Sequence, residues 1–223
     1  MESEAPASTP RRRYDASRRQ DEARARRRRV GEVAHDLFLS RGYGSVTIQE
    51  IADAAGVSAQ MIYASFGSKA GILEFAANIA IVGDDEEIAL ADRASTQNLF
   101  LIDEPRAFVR AFVDGLVELH ERSARILHLV QTVAGSDPQV AALEAAFEEG
   151  RRIDGRRVLE ALPAEGRRDD VDLERLREGT NHLLSPSGYV YLVDQYGWTP
   201  EQYGVWMEDL LHHLAYGPPR DGK

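Results

Sequence analysis

Apolar residues recur along this chain at the 3.6-residue period of an α-helix, and no segment of useful length alternates as a strand does. Val30, Val33, Ala34, Leu37 and Phe38 stand at i, i+3, i+4, i+7 and i+8, one stripe on one face, and Gly42 after Arg41 supplies a stop. The helix carrying that stripe is expected from about Arg18, after a polar arm with two prolines. A short second helix opens where Thr47-Ile48-Gln49-Glu50 reads as a capping box, with Ile48, Ile51, Ala52 and Ala55 on its inner face. Gly56 breaks it. Ser58 is the candidate cap of a third short helix, with Ile62 and Phe66 inward, and Gly67-Ser68 leads into a fourth through Ile72, Leu73, Phe75, Ala76 and Ile79.

Residues 83–104 are acidic and weakly periodic, a linker with a short helix. The wide apolar face from Phe108 to His120 predicts a largely buried helix, and Ile126 to Val133 a shorter separate piece. Asp137-Pro138 opens a long helix that runs to Leu162. Leu173 to Tyr196 is helical with an interruption at Ser185 to Gly188. Thr199-Pro200-Glu201-Gln202 is a second capping box, and Tyr203, Trp206, Met207, Leu210, Leu211 and Leu214 then hold stripe spacing. The fold class is all-α.

Composition sets further bounds. The 223 residues contain no cysteine, which excludes a disulfide framework, a Cys-ligated zinc site and a Cys nucleophile, and suits a reducing cytosol. No run without Asp, Glu, Lys or Arg exceeds the 15 residues of Gly179 to Val193, short of the ~20 apolar residues of a membrane span. No apolar segment follows the N-terminal arginines, so they are not a secretory signal. A soluble, cytoplasmic protein without a membrane partner is expected.

Net charge alone, −10, argues against a nucleic-acid partner, but its distribution reverses that reading. Residues 1–82 carry 12 basic and 10 acidic side chains, residues 83–223 carry 15 and 27, and Arg11 to Arg29 holds ten arginines against three acids. Such asymmetry points to a polyanion at one end of the chain. Beside those arginines, Thr47–Lys69 presents two short helices joined by a glycine turn, the layout of a DNA-binding helix-turn-helix. An ordinary helical hairpin shares the spacing; the adjacent arginines favour DNA, by phosphate or minor-groove contact. Ala52 is small where the next helix crosses, Gly56 permits positive φ, and Ile51, Val57 and Ile62 anchor the unit. Ala59, Gln60, Met61, Tyr63 and Ser65 are then left facing outward.

These residues resemble the tetracycline-repressor (TetR) family of transcriptional regulators. The likeness runs from about Arg29 to Ala76: Ala34, Leu37 and Phe38; Arg41-Gly42-Tyr43; Thr47-Ile48-x-x-Ile51-Ala52-x-x-Ala55-Gly56-Val57-Ser58; Ile62-Tyr63-x-x-Phe66-x-Ser68-Lys69; and Leu73. Gln60-Met61 stand where the family usually has a small residue, and Ala64 and Ser65 are smaller than its usual aromatics or His. Those departures bear on the operator sequence, not on the fold. The C-terminal half is similar more loosely, in its helical pattern and its Leu184-Ser185-Pro186 and Gly197-Trp198-Thr199-Pro200 segments.

The resemblance implies an N-terminal three-helix helix-turn-helix DNA-binding domain and a C-terminal helical ligand-binding and dimerisation domain. The divisions expected are a basic arm 1–17, a DNA-binding domain 18–67, an effector and dimerisation domain 68–217 and a tail 218–223. Ala59, Gln60 and Met61 would face bases; Thr47, Gln49, Ser58, Tyr63, Ser65 and Lys69 would complete the DNA contact, largely on phosphates. The partners implied are a double-stranded, palindromic operator, a small effector and a second copy of the chain, with no cofactor. The effector, expected to be mostly apolar, would sit among Phe112, Leu116, His120, Phe147, Thr180, Asn181 and Tyr189. The dimer would form through Leu183, Leu184, Val190, Val193, Trp206, Leu210 and Leu214.

The rival reading is a helical small-molecule carrier or enzyme. No catalytic constellation favours it: His120-Glu121 lacks a second His at 124, where Ala124 stands, and neither His120 with His128 nor His212 with His213 has chelating helical spacing. A repressor released from its operator by the effector is the reading that follows.

Overall fold

The computed structural model of the chain describes residues 11–83 and 94–217. Helix α1 spans Arg11–Arg41, α2 Ile48–Ala55, α3 Ala59–Phe66, α4 Lys69–Val82, α5 Ala94–Leu99, α6 Pro105–Val133, α7 Pro138–Glu160, α8 Leu173–Asn181, α9 Pro186–Val190 and α10 Pro200–Tyr216. A 3-10 turn, Tyr43–Ser45, precedes α2, and α9 runs directly into a π-helical segment, Tyr191–Gln195. The described residues contain no strand. All-α is therefore the architecture found.

Two helices depart from the expected bounds. Helix α1 begins at Arg11, within the segment expected to be a polar arm, whose first ten residues lie outside the described ones, as does the expected tail. The sequence of residues 11–17 carries no apolar stripe, and residues 18–29, expected to be helical, are exposed all round. Arginine is nonetheless a good helix former, and the i,i+4 ion pairs Arg18–Glu22 and Arg28–Glu32 support the turns. Helix α6 is one 29-residue rod of about 43 Å, not two pieces. The polar interval near Glu121 and Arg122 marks a change of packing partner rather than an end.

That change divides the interior into two cores. Val30, Ala34 and Phe38 of α1, Ile51 and Ala52 of α2, Ile62 of α3 and Ile72, Leu73 and Ala77 of α4 form the first. Ile126 and Val130 from the later half of α6, with Val140 and Leu143 of α7, close its underside. Val109, Val113 and Ala124 of α6 meet Tyr189, Val190, Tyr203 and Met207 of α9 and α10 in the second. The division expected after residue 67 thus passes through continuous packing. Truncating a fully buried anchor such as Phe38 costs about 3–5 kcal/mol.

Candidate nucleic-acid interface and ligand cavity

The helix-turn-helix is built by caps and two close approaches. The Thr47 hydroxyl accepts from the Glu50 N–H while the Glu50 carboxylate accepts from the Thr47 N–H, the capping box read from the sequence. Those bonds, first that of the Thr47 backbone and then the Arg41 guanidinium, hold the Glu50 carboxyl down at about 2. Gly56 takes the left-handed conformation, φ 70°, and turns the chain so that the Val57 N–H reaches the Ala52 carbonyl at 3.0 Å. Ser58 caps α3 by accepting from the Met61 N–H. Its hydroxyl is thereby committed to the helix start. At Gly71 a Cβ would lie 2.1 Å from the Phe66 carbonyl oxygen, so glycine alone lets α4 dock on the end of α3.

Helix α3 is held at both ends and keyed by buried Ile62. Gln60, Tyr63 and Ala64 project to solvent, Tyr63 at 55% exposure. Ala59 and Met61 were expected outward, but both are half-buried and pack against the first core. Ala59 shares the face of Ile62 at i+3, and Met61 neighbours it. Half-buried Ser65 donates its hydroxyl to the Met61 sulfur at 3.6 Å. Thr47 and Gln49 are exposed on α2's leading edge, where the Gln49 amide donates to Asp53 at 2.8 Å.

Lys69 departs most from its expected role. Its ammonium donates to the carbonyls of Tyr43 (2.9 Å) and Val46 (3.1 Å) and lies 4.2 Å from the Tyr43 ring centroid. Two of its three N–H groups close the loop before α2, leaving one for a phosphate. The Tyr43 hydroxyl in turn donates to Asp137 at 3.2 Å, and Asp137 caps α7. Burial, then the Asp137 charge, pushes the Tyr43 phenol well up from its ordinary value. Arg41-Gly42-Tyr43 was visible in the sequence, but a bond across 94 residues leaves no local signal.

Some of the arginines are structural. Arg29 donates to the Ala55 carbonyl at the end of α2, and Arg27 lies over the Phe66 and Phe75 rings at 5.3 and 5.2 Å. Because residues 11–29 are helical, an α-helix about 10–12 Å across faces a minor groove about 6 Å wide.

A cavity of about 660 Å³ opens in the C-terminal half. Phe112, Leu116, His120, Phe147, Thr180 and Asn181 all line it. Tyr189 does not: it is buried behind His120, ring centroids 5.1 Å apart. Ile81 of α4, Leu99 of α5 and Leu211 and Ala215 of α10 complete walls that the sequence did not indicate, because the helices meet there only in the fold. A polar cluster was also missed. Arg151 donates to the Asn181 backbone oxygen at 2.8 Å, to its side-chain oxygen at 2.9 Å and to Glu148.

The residues expected at a dimer interface separate into two groups. Val190 is buried, and Leu183, Leu184, Val193 and Leu210 pack against the second core, their stripe being spent within the chain. Trp206 and Leu214 remain exposed. With them stand Val205, Tyr191 and Tyr196 at 57%, 49% and 64% exposure, the two tyrosine hydroxyls 3.0 Å apart. The π-helical turn presents Tyr191, which no helical stripe would have selected. Among the described residues no helix is long and apolar enough to cross a membrane.

Comparison with known proteins accords with this geometry. Residues 32–76 match the family of bacterial regulatory proteins described as the tetR family. The chain is 30% identical over 119 residues to the HTH-type transcriptional regulator AlkX of Mycobacterium tuberculosis, the match covering 48% of each, so it spans about half the length of that relative. The TetR-family regulator PfmR from Thermus thermophilus is 21% identical, with a TM-score of 0.54 over 86% of this chain and 99% of that one. NalD, the secondary repressor of the MexAB-OprM multidrug efflux pump in Pseudomonas aeruginosa, is 15% identical, with a TM-score of 0.63 over 89% and 98%. At those identities the structural likeness establishes the fold, and residues 32–76 establish the kind of DNA-binding domain it carries. Together they show a tetR-family DNA-binding domain at residues 32–76, within a fold shared with TetR-family transcriptional regulators.

Proposed function

We propose that the chain is a homodimeric repressor that binds a palindromic operator through α3 and releases it when a small, mostly apolar molecule fills the cavity. The observation that carries this reading is α3 itself: eight residues, anchored by Ile62, capped by Ser58 and locked by Gly71, with Gln60 and Tyr63 held outward. A helix of this size reads few base pairs, so a two-fold pair spanning successive major grooves supplies the rest of the site. Gln60 serves as the base reader, with Thr47, Gln49 and Tyr63 on the phosphate backbone. The exposed Tyr191, Tyr196, Val205 and Trp206 offer the surface for the second copy.

The two cores favour coupling between cavity and DNA. Helices α6 and α7 wall the cavity with their middle turns and close the first core with Ile126, Val130, Val140 and Leu143. The Tyr43–Asp137 bond adds a polar link from α7 to the loop before α2. A ligand that prefers one arrangement of α6 and α7 therefore shifts the population of α3 spacings across the dimer. The test is selection of bound duplex from a random pool. Enrichment of an inverted repeat with major-groove half-sites supports the reading, and recovery of an unselected pool removes it.

A further inference from the structure

The cavity has a chemistry that the family likeness does not supply. Its walls are apolar, drawn from Phe108, Phe112 and Leu116 of α6, Phe147 and Leu159 of α7 and Leu176 of α8. Several of its polar groups are closed on one another. The Arg151 guanidinium is taken up by Glu148 and Asn181, the Asn181 amide donates to Glu148 at 3.3 Å, and the Thr180 hydroxyl donates to the Leu176 carbonyl at 2.7 Å. Of the other charged lining residues, Asp114, Glu118 and Arg157 are exposed, while Glu144 and Arg177 are half-buried, Arg177 being paired with Glu174.

His120 is the exception. It is 2% exposed, lines the cavity, and its Nδ1 is the buried side-chain nitrogen left without a hydrogen-bond partner among the described residues. Tyr189 and Tyr203 brace the ring, centroids at 5.1 and 6.1 Å, and the Tyr203 hydroxyl is committed to the Leu183 carbonyl at 3.1 Å. Burial, helped by the Arg151 charge, pushes the imidazole down to about 3, so at neutral pH it offers one N–H and one lone pair and no charge.

We propose that the cavity takes an uncharged, mostly apolar alcohol whose hydroxyl hydrogen-bonds to His120. A hydroxyl both donates and accepts, so it suits either tautomer of a neutral imidazole. A carboxylate head would meet an arginine already neutralised by Glu148, and an ammonium head would meet the neutral imidazole. At His120 either ion would give up its hydration without a free counter-charge beside it. The proposal rests on the cavity being the effector site.

The test measures binding of 1-decanol, decanoate and decyltrimethylammonium to the full chain by calorimetry at neutral pH, alongside release of the selected duplex. Decanol should bind at least tenfold more tightly than either ion. His120→Leu, checked for native helicity, should cost decanol about tenfold, and His120→Gln, which keeps a donor and an acceptor, should recover most of it. Equal or tighter binding of either ion, no binding of decanol, or unchanged decanol affinity in His120→Leu overturns the proposal. Release of duplex by a charged probe would keep the effector site and reject the alcohol. Selective decanol binding without release would keep the alcohol and reject the effector role.

Discussion

Single residues decide whether the helix-turn-helix forms at all. Thr47, Gly56, Ser58 and Ser68 were legible because caps and turns are local chemistry, written within four residues of where they act. The close approach at Gly71 was not legible, since only the fold brings the Phe66 carbonyl over it. Gly71→Ala forces a methyl group against a backbone oxygen 2.1 Å away that has no freedom to retreat. A loss of about 3 kcal/mol or more in urea unfolding is expected. A neutral substitution there would contradict the docking of α3 on α4.

His120 gives a second test at the same scale. Folded, it stays neutral down to about pH 3; unfolded, it takes a proton near its ordinary value of about 6.5. Between those values the unfolded chain binds more protons, so stability is present above about 6.5 and falls as pH falls. His120→Leu removes that term. The unfolding free energy of the variant minus that of the wild type should rise by about 2 kcal/mol between pH 7 and pH 5. A pH-independent difference would mean that the imidazole is not sealed.

At the scale of elements, the stripes of α2, α4 and α10 were read correctly because each buries one face. Helix α1 before Arg18 was missed because no apolar stripe runs through its sequence, and α6 was divided because it serves two cores in turn. Val190 and Leu210 were placed at a dimer surface because a stripe does not say whether its partner lies in the same chain. The polar contact from α7 to the loop before α2, Tyr43 to Asp137, belongs to this scale too. Tyr43→Phe deletes the bond while keeping the ring beneath Lys69. Folding should lose about 1 kcal/mol. The ratio of duplex affinities without and with effector should fall at least threefold, measured by fluorescence anisotropy. An unchanged ratio would route the coupling through the apolar packing of α6 and α7 on the first core.

For the whole molecule, the proposed two-fold assembly rests on the exposed apolar residues after α9. Trp206→Glu combined with Tyr196→Glu places two charges on that surface while leaving Tyr203 and Met207 in the core. Sedimentation should give a folded monomer, and duplex affinity should drop by about two orders of magnitude or more, since one half-site then binds alone. A double variant that still sediments as a dimer would put the interface elsewhere.

The central claim, that α3 of a basic N-terminal domain reads DNA, is tested most directly by the affinity of the full chain for its selected duplex across 50–200 mM salt. The logarithm of affinity should fall linearly with the logarithm of salt, with a slope of about −0.9 per phosphate contacted. Arg26→Gln, on the exposed part of α1, should reduce that slope by about one. Gln60→Ala should leave the slope alone and relax preference at one base pair in each half-site. Binding that ignores salt, or Gln60→Ala that leaves every base preference intact, would contradict the account.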